Sequence, residues 1–281
     1  MILLHTALSI AGTDPTGGAG MQADIKTFTA LHVYGMGVVT TVVAQNTCGV
    51  YAVQNMHADM VKAQLDAVFT DIFPDAVKIG MVSTIPVIGA IIQKLKEYNP
   101  KNIVLDPVMV ATSGQSLLEP EAEQFLIERL IPLSDIITPN IPEAEVLCGF
   151  PIKSMADMLR AAEHIAEFYG GTILIKGGHL GGSNDLLFRA GNTSWVTGKH
   201  INTNNTHGTG CTLSSAIAAG LAKGYDAYAS VRFAKDYVTR ALDSGLDLGK
   251  GNGPVDHCHC IPEIPVCING SDPGSISQSP V

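Results

Sequence analysis

Short apolar segments alternate with longer amphipathic segments along most of this chain, and no other feature constrains its fold as strongly. The short segments predict β-strands at residues 4–10, 37–43, 76–79, 103–105, 136–138 and 172–175. The longer segments predict helices at residues 19–31, 58–72, 85–98, 121–130, 142–147, 154–169, 209–222 and 226–244. This alternation is typical of an α/β protein, in which a parallel sheet carries helices on both faces.

Two further segments, 185–188 and 193–196, are joined by a turn that contains Gly191 and Asn192, and they predict a hairpin at one edge of the sheet. Residues 1–255 contain no repeat, linker or change of composition, so we expect residues 1–260 to form one domain. The segment 261–281 is rich in Gly, Ser and Pro, which predicts a flexible tail.

Composition argues against several classes of function. The chain has 281 residues, a formal net charge of −9 and no run of Lys or Arg, which argues against nucleic acid as a partner. Its six cysteines are irregularly spaced, which fits a reducing compartment. No apolar stretch approaches the roughly 20 residues that cross a bilayer, and the apolar start lacks a basic leader. We therefore expect a soluble, cytoplasmic protein, and the net charge still allows a small anionic substrate.

Ligands of open parallel sheets bind beyond the carboxyl ends of the strands, and here glycine or polar residues follow almost every predicted strand. The most informative segment is His-Gly-Thr-Gly-Cys-Thr at residues 207–212, where a helix is predicted to begin. Free N–H groups and the helix dipole bind anions at such a start, and Gly208 and Gly210 allow a close approach. The same dipole is expected to lower the pKa of Cys211 and favour its thiolate. A buried structural cysteine is the alternative.

Carboxylates occupy two other strand ends. Asp106 directly follows one predicted strand, and Glu143 lies three residues after Asn140 at a helix start. Carboxylates in such places can hold a hydrated Mg²⁺. The alternatives are a turn residue before proline for Asp106 and a partner of the helix dipole for Glu143. Lys176 ends another strand, where it could reach a nucleotide phosphate, and the combination points to phosphoryl transfer.

Other polar residues are less specific candidates. Asp24 lies in the first helix and Gln45 follows the second strand, and either could hold a polar substrate group or serve as an ordinary surface or loop residue. The sequence reveals no partner for His207. The tract His257-Cys258-His259-Cys260 lacks the ligand spacing of a zinc site, so we expect no metal there.

Seven segments together resemble a known enzyme family: residues 9–24, 44–47, 77–81, 105–111, 138–140, 175–179 and 206–215. From about residue 6 to about residue 257, the chain resembles the hydroxymethylpyrimidine/phosphomethylpyrimidine kinases of thiamine biosynthesis, which belong to the ribokinase-like superfamily. The resemblance implies a three-layer αβα sandwich with a mostly parallel central sheet, and a homodimer. It also implies that ATP and Mg²⁺ are used to phosphorylate 4-amino-5-hydroxymethyl-2-methylpyrimidine and then its monophosphate.

The same resemblance gives each candidate residue a role. The pyrimidine would be contacted by Gln45 and Asp24 in a pocket lined by Gly12, Ala19, Met81 and Val108. The nucleotide would be bound by Lys176, Asn140 and Lys235. Mg²⁺ would be held by Glu143 and Asp106. The anion hole would be formed by Gly208, Thr209 and Gly210. Most sugar kinases of the superfamily place an aspartate base where this chain has Cys211, so Cys211 would accept the hydroxyl proton.

Two alternatives stay open. A pyridoxal kinase of the same branch would share Cys211 and most of the pocket, but such kinases tend to carry a second cysteine just after Asp-Pro-Val-Met. Residues 110–114 here are Val-Ala-Thr-Ser-Gly, which favours the pyrimidine. A regulator built on the kinase fold would be expected to lack the anion hole, Glu143 or Cys211, and all of these are present.

Overall fold

The computed structural model of the protein describes residues 4–109, 118, 120–178 and 183–262. The strands among them are β1 (Thr6–Gly12), β2 (Tyr34–Asn46), β3 (Gly49–Asn55), β4 (Ala76–Ile79), β5 (Ile103–Leu105), β6 (Ile136–Ile137), β7 (Thr172–Ile175), β8 (Asp185–Arg189) and β9 (Asn192–Val196). They form one sheet of order β3-β2-β1-β4-β5-β6-β7-β8-β9. Within this order, all neighbours in the series β2-β1-β4-β5-β6-β7 pair in parallel. Strand β3 pairs antiparallel with β2 at one edge, and β8 and β9 add antiparallel strands at the other edge.

Helices cover both faces of this sheet. They are α1 (Gly20–Ala30), α2 (Ala58–Asp71), α3 (Ile85–Tyr98), α4 (Pro120–Phe125), α5 (Ile141–Cys148), α6 (Met155–Ile165), α7 (Thr209–Ala222) and α8 (Ala227–Asp243). A π-helical turn at Leu126–Leu130 and a 3₁₀ turn at Ile131–Leu133 continue α4. These bounds confirm the predicted pattern of elements to within a few residues at most ends.

Alternate residues of a strand face opposite sides of the sheet, and the central strands supply two separate cores. In β5, Ile103 and Leu105 pack into the core under α2 to α6, whereas Val104 packs into the core under α1, α7 and α8. The buried strands are therefore apolar on both faces, as parallel sheets require. The result is the predicted three-layer αβα sandwich.

The strand order places a topological switch point at β1, because β2 lies on one side of β1 and β4 on the other. Helix α7 packs against β1, β4 and β5, so its amino terminus lies at this point. Residues 212–222 of α7 are all buried, and most of them are Ala, Ser or Gly. Small side chains let the helix approach the sheet closely, which brings its first turn next to the strand ends.

Two features differ from the sequence-based expectation. Strand β3 was not predicted, because most of its side chains are exposed and it shows no buried face. Strand β2 continues to Asn46, so Gln45 lies within a strand and not in the loop that was predicted after it. Residues 110–114 and residues 263–281 of the predicted tail lie outside the described residues.

Candidate active site

The start of α7 has the geometry of an anion site. Its N-cap Gly208 has a φ of 80°, in the left-handed region. A Cβ atom at Gly208 would collide with the carbonyl oxygen of Gly18, so glycine is required at this close approach. The N–H groups of a first helical turn have no partner within the helix. Thr209 and Gly210 lie in that turn, where an anion would meet those groups.

An ion pair lies directly beside this helix start. The Nζ atom of Lys176, at the end of β7, is 2.8 Å from Oδ1 of Asp106, at the end of β5. Thr138 Oγ1 donates to the same carboxylate oxygen at 3.0 Å. A Cβ atom added to Gly210 would lie 3.4 Å from Asp106 Oδ2 and 3.5 Å from Lys176 Nζ. Burial opposes ionisation of Asp106, but the neighbouring lysines hold its pKa below the usual value.

Glu143 and Asn140 form a capping box at the start of α5. Asn140 Oδ1 accepts a hydrogen bond from Glu143 N at 2.9 Å, and Glu143 Oε2 accepts one from Asn140 N at 2.8 Å. The backbones of Asn140 and Lys176 also form an isolated parallel β-bridge, which brings Glu143 near the ion pair. Burial raises the pKa of Glu143 to about 7, with Lys176 opposing the shift and Asp106 adding to it. The carboxyl group therefore retains a proton more readily than an exposed glutamate.

Asp24 occupies a buried polar network. Both of its oxygens lie 2.9 Å from Lys78 Nζ, and neither side chain has exposed surface. Ser9 Oγ and Ser215 Oγ each donate to the carboxylate at 2.6 Å. The Asp24 carboxylate is enclosed and bonded by these neighbours, and its contact with a substrate stays a prediction. Asp24 lies on α1, and the partners of its carboxylate lie on β1, β4 and α7, next to the site.

Cys211 lies one helical turn before Ser215 and is partly exposed. Burial raises the pKa of the Cys211 thiol, while Lys78 and a hydrogen bond from the Gly20 N–H lower it in part. Asp24 is among the carboxylates that raise it further. The predicted lowering by the helix start is therefore wrong for the free protein. The surroundings of the sulfur are nevertheless polar, since charged groups from several elements act on it.

Gly12 and Met81, two residues that the resemblance assigns to the substrate pocket, lie close together at the switch point. A Cβ atom on Gly12 would lie 3.2 Å from Met81 Sδ, so the ends of β1 and β4 meet there. Ala19 N donates to Asp14 Oδ2 at 2.8 Å, which fixes the loop after β1. Val108 N–H donates to the carbonyl oxygen of Asp106 at 2.8 Å. Gln45 is half-buried near the outer end of β2.

Lys235, which by the resemblance would approach the nucleotide, forms an ion pair in this structure. Its Nζ atom lies 2.6 Å from Asp185 Oδ2, and Asp185 Oδ1 accepts a hydrogen bond from Gly177 N at 2.9 Å. Because Gly177 directly follows Lys176, this pair links α8 to the end of β7. The structure thus places Lys235 close to the loop that carries Lys176.

The tract at residues 257–260 packs against the core that lies under α1, α7 and α8. His257 is buried, with Nε2 3.1 Å from Thr212 Oγ1, and its carbonyl oxygen accepts a hydrogen bond from Tyr237. The ring of His259 lies 4.8 Å from that of Tyr237. Within the described ranges, no group of three or more His, Cys, Asp or Glu residues could hold a metal. In the same ranges, no helix is long and apolar enough to cross a membrane.

Two charged residues of the site region were missed by the sequence analysis. Lys78 lies in the middle of an apolar strand, and a lysine on a fully buried strand needs a charged partner. That rule could have marked Lys78, although it does not identify Asp24 as the partner. Asp14 entered the sequence analysis only within the segment 9–24 of the family resemblance, yet its buried carboxylate accepts a hydrogen bond from His207 Nε2 at 2.8 Å. His207 therefore has the partner that the sequence did not reveal.

An open sheet with a glycine-lined helix start, a buried lysine–aspartate pair and a neighbouring glutamate defines a ribokinase-like kinase, an enzyme that transfers phosphoryl groups. The sequence profile described as phosphomethylpyrimidine kinase matches residues 14–256. The chain belongs to that family.

Similar proteins include both kinases considered above. A hydroxymethylpyrimidine/phosphomethylpyrimidine kinase from Rhizobium meliloti is 50% identical over 258 residues, which cover 90% of this chain and 97% of the relative. The crystal structure of a phosphomethylpyrimidine kinase from Clostridium difficile is 48% identical, with a TM-score of 0.77 over 85% of this chain and 99% of that one. An ADP complex of Bacillus subtilis pyridoxal kinase is 38% identical, with a TM-score of 0.85 over 91% and 98% of the two chains.

Proposed function

We propose that this kinase phosphorylates the primary hydroxyl of 4-amino-5-hydroxymethyl-2-methylpyrimidine, and then the resulting monophosphate, with ATP as the donor. The family match and the 50% identity to a relative of that name support this substrate. The pyridoxal kinase superposes with the higher TM-score but has the lower identity of 38%. Pocket side chains decide a substrate while backbone shape reports the shared fold, so we give identity more weight.

The observation that carries the proposal is the convergence on the first turn of α7. Gly210 lies beside the ion pair of Asp106 and Lys176, in the same turn as Thr209 and two residues after the N-cap Gly208. N–H groups fixed at this point would stabilise charge on the transferring phosphoryl group, which is the main task of a catalyst for phosphoryl transfer. Cys211 lies in the same turn, where the thiolate form of its side chain, after loss of the thiol proton to solvent, would accept the proton of the substrate hydroxyl.

The other predicted residues take supporting roles in this proposal. Gly12, Ala19, Met81, Val108 and Gln45 would surround the pyrimidine, and Lys176 and Lys235 would approach the nucleotide. Asp24 would also contact the pyrimidine, as the resemblance implies.

The residues near α5 fit a divalent cation that keeps several waters. Glu143 supplies a buried carboxylate close to Asp106, although the Asp106 oxygens already accept hydrogen bonds from Thr138, Lys176 and Ser214. Glu143 is therefore the better candidate ligand, with Asn140 fixing its position. Mg²⁺ bound with ATP would supply positive charge that neutralises the phosphates.

Assembly and location complete the proposal. We infer a cytoplasmic homodimer, and exposed apolar side chains on β2 and β3 offer a surface for a second copy: Val42, Tyr51 and Val53. Analytical ultracentrifugation tests this, since a Tyr51→Lys variant should shift the protein to monomers.

A side-by-side kinase assay tests the activity. Hydroxymethylpyrimidine and its monophosphate should each be phosphorylated with a higher kcat/KM than pyridoxal. Cys211→Ala should abolish transfer while ATP binding persists, and Cys258→Ala, which changes an exposed cysteine, should keep wild-type turnover. A preference for pyridoxal would overturn the substrate, and unchanged turnover in Cys211→Ala would remove the sulfur from the mechanism.

A further inference from the structure

The loop after β1 is built around one buried carboxylate. Asp14 has no exposed surface and accepts hydrogen bonds from Thr16 N at 2.9 Å, Gly18 N at 3.1 Å and Ala19 N at 2.8 Å. Thr16 Oγ1 donates to it at 2.8 Å. Hydrogen bonds of this kind hold a carboxylate ionised, so Asp14 presents a negative charge to its remaining neighbour.

That neighbour is His207, which comes from a distant part of the chain. Its Nε2 atom lies 2.8 Å from Asp14 Oδ2, across a separation of 193 residues. Because an ionised carboxylate only accepts hydrogen bonds, Nε2 carries the proton and donates it. The backbone N–H of His207 donates to the carbonyl oxygen of Gly253 at 3.0 Å. The ring thus connects the loop after β1 to a segment that is itself held in place.

The same contact sets the position of the helix start. Gly208 follows His207 and is the N-cap of α7. Its Cα lies so close to Gly18 that a Cβ there would meet the Gly18 carbonyl. A Cβ on Gly18 would in turn lie 2.5 Å from His207 Cδ2. The loop at residues 13–19, which we call the substrate loop, therefore contacts the start of α7 backbone to backbone. The His207 ring packs beside this contact.

We propose that Asp14 and His207 form a positioning pair that aligns the first-turn N–H groups of α7 with the substrate loop at residues 13–19. This inference rests on the proposed function, since it assigns the pair to phosphoryl transfer. Neither side chain needs to touch a reacting atom. Their hydrogen bond would fix the distance between the transferring phosphoryl group and the substrate hydroxyl. Small misplacements of reacting groups reduce turnover strongly.

Three variants test the pair. His207→Leu removes the donor, Asp14→Asn removes the charge of its acceptor, and His207→Gln places an amide N–H near the position of Nε2. Hydrogen exchange of the free protein should be faster in residues 205–212 for both His207→Leu and Asp14→Asn, although Asp14 is far away in sequence. With hydroxymethylpyrimidine, kcat should fall by up to about 10²-fold in His207→Leu while the KM for ATP stays unchanged. His207→Gln should restore most of both properties, and His57→Leu serves as a control on an exposed histidine.

Wild-type exchange or wild-type kcat in His207→Leu would overturn the proposal. So would a loss confined to KM, or a loss that His207→Gln does not restore. If His207→Leu does not fold, the comparison of Asp14→Asn with His207→Gln decides, because only the former should accelerate exchange at residues 205–212. If the wild-type protein fails to phosphorylate hydroxymethylpyrimidine, the proposed function fails, and kcat is then compared with pyridoxal while the exchange measurement still reports on the pair.

Discussion

Removing the charge of Lys78 should destabilise the protein more than any surface substitution. Lys78→Met keeps a long unbranched side chain in β4 but leaves the Asp24 carboxylate without its cation. The two side chains have no exposed surface and are joined by two contacts of 2.9 Å. Ser9 and Ser215 still donate to Asp24 in this variant, yet neither brings a positive charge.

The magnitude follows from the burial of the pair. Breaking a buried ion pair on one side costs about 3–5 kcal/mol, because an uncompensated charge stays in a medium of low polarity. A domain of this kind has a free energy of unfolding of about 5–15 kcal/mol, so Lys78→Met should lose a large part of it. In the double variant Lys78→Met/Asp24→Asn, both charges are gone and the serine hydroxyls keep an acceptor. The loss should then be smaller than in Lys78→Met alone.

Urea unfolding followed by circular dichroism measures the loss of stability in the single variant and in the double variant. The midpoint should fall strongly in Lys78→Met and recover in part in the double variant, with little change in the slope. Lys62→Met is the control, since Lys62 forms only a solvent-exposed pair with Asp59 at 3.9 Å. Such pairs contribute about 0–1 kcal/mol. If the double variant is less stable than Lys78→Met, the uncompensated charge is not the cause and the reasoning fails.

Three further predictions concern the site itself. Gly208→Ala should unfold at lower urea than Gly149→Ala, because both have a positive φ but only Gly208 would collide with backbone; equal midpoints would contradict this. The pKa of Glu143 is raised from 4.5 to about 7, so folding binds a proton, stability falls as pH rises through that window, and Glu143→Gln should flatten the fall in a series of urea titrations. Because burial raises the pKa of Cys211, kcat/KM should rise with pH above neutrality, and the rise should move to lower pH in Cys211→Asp if that variant is active.

The sequence predicted elements wherever local pattern and burial agree. Strands β4, β5 and β7 are short apolar runs buried on both faces, and their bounds match the prediction. Strand β3 has mostly exposed side chains, so neither alternation nor a continuous apolar run marks it. Its pairing with β2 creates the strand, and that pairing depends on the hairpin as a whole.

The strand-end rule also found much of the site. It selected Asp106, Lys176 and the start of α7, which the parallel sheet brings together although they are far apart in sequence. The rule works because all parallel strands end at one edge, so position along a strand converts into position in space. The rule does not give partners, so it did not identify Lys78 as the partner of the Asp24 carboxylate.

The properties of Cys211 could not be predicted from its helix. A helix start lowers a thiol pKa locally, but burial of the sulfur raises it, the Asp24 and Asp106 carboxylates raise it further, and Lys78 offsets this only in part. Only the packed structure sets their distances. The same holds for Asp14 and His207, whose contact closes a separation of 193 residues.

Under the proposed function, the charges around the helix start would suit an anionic donor that binds together with a metal. Two lysines, Lys78 and Lys176, lie among three carboxylates, Asp24, Asp106 and Glu143. Asp24 and Asp106 each have a lysine partner, so only Glu143 is left without its own cation. Burial raises the pKa of Glu143 to about 7, so near neutral pH its carboxyl group binds a proton part of the time and carries less than a full negative charge. A divalent cation can replace that proton with more charge than the carboxylate needs, and the excess would be available to the phosphates.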